Sequence, residues 1–314
     1  MGGDHLPAVV VAGALRARDA GVPVLLVGDA DLIGDTGGIE VYPASEVIRM
    51  DDDPGRGVRT KKDSSIVRAA ELVRDGQASA MVGVGNSGAT MGAALLRIGR
   101  IRGVKRPAIA ASIPVPTAPG RRTVLLDAGA NVDCTPEMLA QFGRMGAAFA
   151  RVHLGVERPT VAILSIGEEA GKGNTLVRDT TALLAGEPFA QATGASFVGN
   201  AEGRDIFGGT YDVVVTDGFT GNAVLKAMEG ATIASAALFR LILAERSIQI
   251  DGFDQLLSDI DPDEHNGAFL LGIDGVCVIG HGASGERAVT VAIETAYELA
   301  TAGVIAEITT ALAS

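Results

Sequence analysis

The chain has 314 residues and a formal net charge of −12, with 47% of its residues hydrophobic and 20% charged. This composition is that of a globular protein with room for two domains, and it excludes an intrinsically disordered chain. The acidic balance argues against nucleic-acid binding and against strong adhesion to anionic membranes, since both require a basic surface.

The first half of the chain alternates between helix-like and strand-like patterns. Apolar residues at helical spacing predict helices over Pro7–Ala20, Ser64–Asp75 and Ser87–Ile98, and another from the N-cap Thr135 to His153. Short apolar runs predict strands at Val24–Val27, Ala80–Val84, Ala108–Ala110 and Thr123–Leu126.

The second half repeats this alternation after a candidate domain boundary near Gly155–Pro159. The predicted strands are Val161–Ser165, Phe197–Val198, Val213–Val215 and Val276–Ile279, and the predicted helices are Asn174–Leu184, Ala223–Glu245 and Ala288–Ala302. Strands that alternate with helices form a mostly parallel sheet covered on both faces, so we predict a doubly wound α/β fold.

The two cysteines, Cys134 and Cys277, lack metal-ligand spacing, which favours free thiols in a reducing cytoplasm. No signal-peptide pattern opens the chain, and no apolar run is judged to reach the ~18 residues of a membrane span. We therefore expect a soluble, cytoplasmic protein.

The stretch from Met81 to Gly92, MVGVGNSGATMG, contains G-x-G-x-x-G between a predicted strand and a predicted helix. A dinucleotide site needs an acidic residue about 20 positions later, to hold the ribose. No Asp or Glu occurs from Ala89 to Leu126, although an NADP site could use arginine instead. The alternatives are an unliganded turn, and an anion held by backbone N–H groups of Asn86, Ser87 and Gly88 at a helix N-terminus.

Four more glycine-rich turns follow predicted strands, at Asp127–Asp133, Gly167–Asn174, Thr216–Asn222 and Gly280–Gly285. None is a Walker A loop, because Gly171-Lys172 lacks the preceding glycine and the following Ser or Thr. The carboxyl ends of parallel strands meet at one end of a sheet. We therefore expect the five turns to share one crevice that takes a small anionic substrate.

Seven ordered motifs span nearly the whole chain: MGGDH (1–5), KKDSS (61–65), GNSGA (85–89), LDAGANVD (126–133), IGEEAGKGN (166–174), VTDGFTGN (215–222) and GHG (280–282). Together they resemble the PlsX family, the phosphate acyltransferases of bacterial phospholipid synthesis. The resemblance implies transfer of an acyl group from acyl-[acyl carrier protein] to inorganic phosphate. It also implies a homodimer, no metal or organic cofactor, and a membrane glycerol-phosphate acyltransferase as a further partner.

The same resemblance implies a two-domain fold like that of phosphotransacetylases and isocitrate dehydrogenases. By analogy, residues 1–155 and 281–314 form the first α/β domain, and residues 156–280 form the second. The alternatives left open are an acyl-CoA:phosphate acyltransferase of the phosphotransacetylase type, an NADP-dependent decarboxylating dehydrogenase, and a non-catalytic scaffold.

The chain departs from the family pattern in three places. Family members usually carry a strand before MGGDH, so this chain is expected to lack one strand. Pro43 stands where relatives often have histidine. The stretch 237–264, which in similar proteins can be basic and touch membrane, here contains acidic residues, which favours at most weak membrane association: Asp251, Asp254, Asp259, Asp261, Asp263 and Glu264.

Attack of phosphate on a thioester needs a site that holds the anion and stabilises an oxyanion, without an enzyme nucleophile. The predicted catalytic residues are Lys172, as the cation, His281, as a base or donor, Asn174 and Asp217. The predicted phosphate and substrate ligands are Asn86, Ser87, Gly88, Thr90, Asp127, Asn131, Thr220 and Asn222. Asp127 could instead fix the geometry of its loop, and Asp217 could be a helix N-cap.

Acyl carrier protein is acidic, like this chain, so their association would need a local basic patch. The interval without acidic residues supplies the predicted docking residues Arg97, Arg100, Arg102, Lys105 and Arg106. The alternative is a solvated loop with cations near a helix C-terminus.

Overall fold

The computed structural model describes residues 7–260, 267–280, 282 and 284–313. The MGGDH motif and the predicted catalytic residue His281 lie outside the described residues. The helices of the first half are α1 (Ala8–Asp19), α2 (Ala30–Ile33), α3 (Pro54–Thr60), α4 (Ser65–Arg74), α5 (Ser87–Ala93), continued by a π-helical turn (Ala94–Ile98), and α6 (Pro136–His153). Those of the second half are α7 (Thr175–Leu184), α8 (Glu187–Thr193), α9 (Gly203–Gly208), α10 (Gly218–Glu245), α11 (Phe253–Ile260), α12 (Glu286–Thr301) and α13 (Val304–Leu312).

The strands are β1 (Leu26–Gly28), β2 (Val41–Pro43), β3 (Ala80–Val84), β4 (Ala108–Pro114), β5 (Arg122–Leu126), β6 (Thr160–Leu164), β7 (Ser196–Ala201), β8 (Val213–Val215), β9 (Gly267–Leu271) and β10 (Val276–Gly280). β1 and β2 form a parallel pair, and the other strands form one sheet in the order β3-β10-β9-β4-β5-β8-β6-β7. Five strand pairs are parallel and three are antiparallel. The predicted α/β class with a mostly parallel sheet is therefore confirmed.

The three antiparallel pairs are consecutive and lie in the middle of the sheet, at β10–β9, β9–β4 and β4–β5. As a result β3, β10 and β4 run one way, while β9, β5, β8, β6 and β7 run the other way. We call the two ends of the sheet where these groups finish the β3 end and the β5 end. The sequence predicted β3 and β5 but not β9, a short apolar run directly after an acidic stretch.

The core is packed on both faces of this sheet. Phe142 and Phe149 of α6 are fully buried against β5, β6 and β8, and the three residues of β8 have no exposed surface. Continuous burial of this kind explains why β8 is an unbroken run of valine. The proposed boundary near Gly155–Pro159 falls in the connection between α6 and β6, and the division into two domains stays a prediction.

A cavity of ≈ 520 Å³ lies between β1 and β3. Apolar side chains line it, among them Val11, Leu26, Met81 and Val289. Among the described residues β1 pairs only with β2, and β3 pairs only with β10, so each has one edge that faces no strand. The expectation of a missing strand stays a prediction.

Helix α10 begins at Gly218, five residues before its predicted start, because the side chain of Asp217 accepts the N–H of Thr220 and caps it. After Gly221 the helix leaves the body of the protein, and Ile233, Leu238, Phe239 and Leu241 are each more than half exposed. On length and composition alone α10 could cross a membrane. The expectation that no apolar run reaches that length is therefore wrong.

Candidate active site

The glycine-rich turns do not converge on one crevice. The turn after β3 and the end of β10 lie at the β3 end of the sheet, where Val84 and Gly280 are paired. The turns after β5, β6 and β8 lie at the β5 end. Strands of five residues are about 17 Å long, so the two groups are separated by at least the length of a strand. The prediction of a single shared crevice failed because the antiparallel strands reverse direction in the middle of the sheet.

At the β3 end, Asn86 is held on both sides by the backbone. Its Nδ2 donates to the carbonyl oxygens of Arg49 (3.1 Å) and Asp52 (3.3 Å), and its Oδ1 accepts the N–H of Ala89 (2.9 Å). Asn86 is thus the N-cap of α5, and its side chain is turned toward the segment 49–52. A buried asparagine with its donors and its acceptor all used fixes the start of the helix.

The residues after Asn86 leave donors open. Among the described residues, no acceptor is recorded for the N–H groups of Ser87 and Gly88, and Ser87 is exposed. A Cβ on Gly88 would lie 2.8 Å from the ring of Pro54, at the first turn of α3. Gly282, which leads into α12, is close to Met50 and to the carbonyl of Gly85. The starts of three helices therefore approach residues 85–88, which we call the β3 turn, and their dipoles favour an anion there.

Thr90 is not part of this opening. It has no exposed surface, its Oγ1 donates to the carbonyl of Asn86 (3.1 Å), and it packs on Gly83. The prediction that Thr90 binds phosphate is therefore corrected: a hydroxyl one turn into the helix faces the sheet.

At the β5 end, Asp127 is fully buried and organises its own loop. Its carboxylate accepts five N–H bonds of 2.8 to 3.1 Å, from the backbone of Ile109, Gly129, Ala130 and Asn131 and from Nδ2 of Asn131. Burial raises the pKa of Asp127, and these donors act against that shift. Of the two roles considered for Asp127, these contacts support the fixing of loop geometry.

The loop after β8 closes on this structure. The N–H of Gly218 donates to the carbonyl of Asn131 (2.8 Å), and the carboxylate of Asp217 accepts the N–H and the hydroxyl of Thr220, both at 2.8 Å. A Cβ on Gly221 would lie 1.9 Å from the carbonyl oxygen of Asp127. We call residues 127–131 and 217–222 the interlocked loops, because their polar groups are used mainly on one another.

Few predicted residues at the β5 end remain open to a ligand. Asn174 is the N-cap of α7 and accepts the N–H of Val177 (3.0 Å). Lys172 and Asn222 are exposed, and Asn222 lies beside Gly129. Sequence reasoning missed Asn200, whose Nδ2 donates to the carbonyls of Gly167 and Glu169 and so supports the loop that carries Lys172. The only signal in the sequence was an amide at the end of an apolar strand.

The predicted docking residues are not equivalent. Arg97 is half-buried beside Glu71 (3.7 Å) and Val58, which corrects its assignment to an exposed patch. Arg100 donates to the carbonyls of Val104 and Lys105 and holds the loop 99–107.

Two arginines of this loop are free to meet a partner. Arg102 and Arg106 are exposed, and among the described residues no ion pair is recorded for either. Arg106 and Lys105 line a groove with Leu95, Arg100 and Pro107. The loop borders the β5 end, since Nδ2 of Asn131 donates to the carbonyl of Pro107 (2.8 Å).

Among the described residues, no cluster of three His, Cys, Asp or Glu side chains could hold a metal ion. The polar groups of both ends are instead donors, acceptors and helix N-termini. That inventory suits an anion and a carbonyl compound, and the β3 turn is where donors remain unpaired.

Comparison with known proteins gives one consistent family. The family model described as "Fatty acid synthesis protein" matches residues 1–307. The phosphate acyltransferase of Myxococcus xanthus (strain DK1622) is 45% identical over 327 residues, covering 98% of this chain and 91% of that protein. The phosphate acyltransferase of Citrifermentans bemidjiense is 46% identical over 320 residues, covering 97% of this chain and 88% of that protein.

Solved structures support the same fold. A branched-chain phosphotransacylase from Enterococcus faecalis V583 superposes with a TM-score of 0.63 at 16% identity, covering 95% of this chain and 96% of that one. A phosphotransacetylase from Streptococcus pyogenes gives 0.61 at 18% identity, with 94% and 92% covered. The predicted phosphotransacetylase-like fold is confirmed. With the sequence identities above, this shows that the chain is an acyltransferase and belongs to the PlsX family of phosphate acyltransferases.

Proposed function

We propose that the protein transfers a fatty acyl group from acyl-[acyl carrier protein] to inorganic phosphate, by direct attack of phosphate on the thioester. The observation that carries the proposal is the pair of unpaired N–H groups at Ser87 and Gly88, at the start of a helix whose N-cap is already satisfied. The family supplies phosphate as substrate, and these donors supply a place to hold it.

In this proposal phosphate is bound by the N–H groups of the β3 turn and by the hydroxyl of Ser87. One phosphate oxygen attacks the thioester carbonyl, a C–O bond forms, and the oxyanion collapses as the C–S bond breaks. The leaving thiolate takes a proton from water, which is undemanding because a thiol has a pKa of about 8.5. The protein lowers the barrier mainly by holding the two reactants together and by stabilising the oxyanion.

Reacting atoms must approach to about 3–3.5 Å, so one phosphate cannot be held at both ends of the sheet. We assign phosphate to the β3 turn because the polar groups of the interlocked loops are already paired. Lys172, with Asn174, Asp217 and Asn222 at the β5 end, is the competing assignment. His281 directly follows Gly280, which is paired with Val84 at the β3 end, and as a base or donor it stays a prediction.

The acyl donor is tested by the release of thiol. We expect purified protein to release free thiol from fatty acyl-[acyl carrier protein] only when phosphate is present, and to produce acyl phosphate in equal amount. Acyl-CoA in place of the carrier protein tests the phosphotransacetylase alternative. Thiol release without phosphate would contradict direct attack.

We propose a homodimer in which a second copy covers α10. Its exposed apolar side chains alternate with small residues such as Gly230 and Ala234, which allow close packing of two helices. A second copy also accounts for the apolar length of α10 while the protein works in the cytoplasm, with weak membrane contact when acyl phosphate passes to a membrane glycerol-phosphate acyltransferase. Light scattering of the purified protein should give twice the chain mass of 31.9 kDa.

A further inference from the structure

The motif Lys61-Lys62-Asp63-Ser64-Ser65 has no role in the reaction described so far. It lies between α3 and α4, beside the segment 45–53 that runs from β2 to α3. We call residues 45–53 the strap. The strap has little regular structure of its own, so what fixes it in place has to come from neighbouring side chains.

Two residues of the motif hold the two ends of the strap. At its start, the carboxylate of Asp63 accepts the N–H (2.9 Å) and the hydroxyl (2.5 Å) of Ser45. At its end, Nζ of Lys61 donates to the carboxylate of Asp52 (2.5 Å) and to the carbonyl of Val47 (2.8 Å). Asp52 in turn accepts the N–H of Arg49 (2.7 Å), which closes the strap on itself.

The strap ends on the β3 turn. The carbonyls of Arg49 and Asp52 are the two acceptors of Nδ2 of Asn86, and Pro54, just after the strap, abuts Gly88. A chain of contacts therefore runs from Lys61 through Asp52 and the strap carbonyls to Asn86, the N-cap of α5. The pKa of Asp52 is lowered, first by the hydrogen bond from Lys61, as expected of an ionised pair.

We propose that Lys61, acting through Asp52, is a positioning residue for phosphate: it fixes the strap that orients Asn86 and so keeps the N–H groups of Ser87 and Gly88 aimed at the ligand. This inference rests on the proposed function, because it assigns phosphate to the β3 turn. Lys61 itself does not touch phosphate in this account, since its ammonium group donates to two strap acceptors.

The test compares Lys61→Met, Asp52→Ala, the double variant and Lys62→Met. Lys62 is the matched control, because it is an exposed lysine next to Lys61 in the same motif. The readouts are the Kd of inorganic phosphate by titration calorimetry without acyl donor, the KM values of phosphate and of acyl-[acyl carrier protein], and the melting temperature.

We expect Lys61→Met and Asp52→Ala each to raise the Kd and the KM of phosphate about tenfold, with the donor KM unchanged. The double variant should be no worse than either single variant, because both break the same link. Lys62→Met should match the wild type.

The alternatives give different results. If Lys61 binds phosphate directly, Asp52→Ala will leave phosphate affinity unchanged or improve it, and the positioning role is refuted. Equal rises in both KM values, or additive single effects, would mean general loosening of the fold and would also refute it. If the wild type binds phosphate but releases no thiol, the proposed function fails, while calorimetry still decides the role of Lys61. If the wild type does not bind phosphate, the β3 turn is the wrong site and both proposals fail.

Discussion

The β3 turn and the interlocked loops each join a strand to a helix through glycine and a capping Asn or Asp, yet only the β3 turn has open donors. The difference lies in where the capping and loop side chains point. Asn86 donates away from its own turn, into the strap, and leaves the N–H groups of Ser87 and Gly88 unpaired. Asp127 points into its own loop and accepts five N–H groups there. Two similar sequence patterns thus give a ligand site in one place and a structural lock in the other.

The interlock should be broken most severely by adding one methyl group at Gly221. A Cβ there would lie 1.9 Å from the carbonyl oxygen of Asp127, and backbone cannot move aside easily. Gly221→Ala should lower the free energy of unfolding by about 3 kcal/mol or more. Urea unfolding measures this, with Gly203→Ala as the control, because no atom lies within 4 Å of that Cβ. Similar stabilities for the two variants would show that the loops are not locked.

Any comparison of phosphate binding at the two ends needs a pH at which the protein is fully folded, and His153 sets that limit. Burial lowers the pKa of His153 from 6.5 to about 4, and the guanidinium of Arg122 adds to the shift. Below pH 6.5 the unfolded chain therefore takes up a proton that the folded protein refuses, so stability falls as the pH falls. Between pH 6.5 and 5 the loss should be about 2 kcal/mol.

His153→Gln should flatten this pH dependence, because glutamine does not titrate and can keep the contact with Ser112 that His153 makes through Nε2 (3.0 Å). Urea unfolding at several pH values measures the slope for both proteins. An unchanged slope in the variant would assign the acid sensitivity to other groups.

The two asparagine N-caps provide the direct comparison of the two ends. Asn86 and Asn174 each accept one N–H, at 2.9 and 3.0 Å, so both alanine variants should lose about 1 kcal/mol of helix stability. Only Asn86→Ala should also raise the KM of phosphate, about tenfold, because it releases the β3 turn from the strap. Lys172→Met should change that KM less than about twofold. Steady-state kinetics at varied phosphate decides, and a large effect of Lys172→Met alone would move the phosphate site to the β5 end.

The alternation of strands and helices was enough to predict the class of fold, because apolar runs such as Val213–Val215 are unbroken where strands are buried on both faces. The direction of the strands was not predictable in the same way. It depends on β9, a short strand whose antiparallel pairing with β4 and β10 leaves no local pattern, and it separates the turns into two groups.

The site residues were predicted from motifs that do not distinguish a ligand from a structural partner. Thr90 and Asp127 have polar side chains in the right stretches, but both are fully buried and bonded within the protein. Exposure and pairing are set by tertiary contacts, such as the strap carbonyls that meet Asn86 from 34 and 37 residues away. Only the structure could show which donors are left over.

The smallest expected effect concerns how the acyl donor is recruited. Arg102 and Arg106 are exposed on the loop 99–107, so reversing either charge should weaken steering of an acidic carrier protein without disturbing the fold. Arg102→Glu and Arg106→Glu should each raise the donor KM about three- to fivefold at low salt, and the difference from wild type should shrink as salt is added. Arg158→Glu is the matched control, an exposed arginine before β6, at the opposite end of the sheet. Because the loop borders the β5 end and phosphate is assigned to the β3 end, neither substitution should alter the KM of phosphate. A donor KM that responds equally to Arg158→Glu would reduce the basic loop to part of a general surface charge.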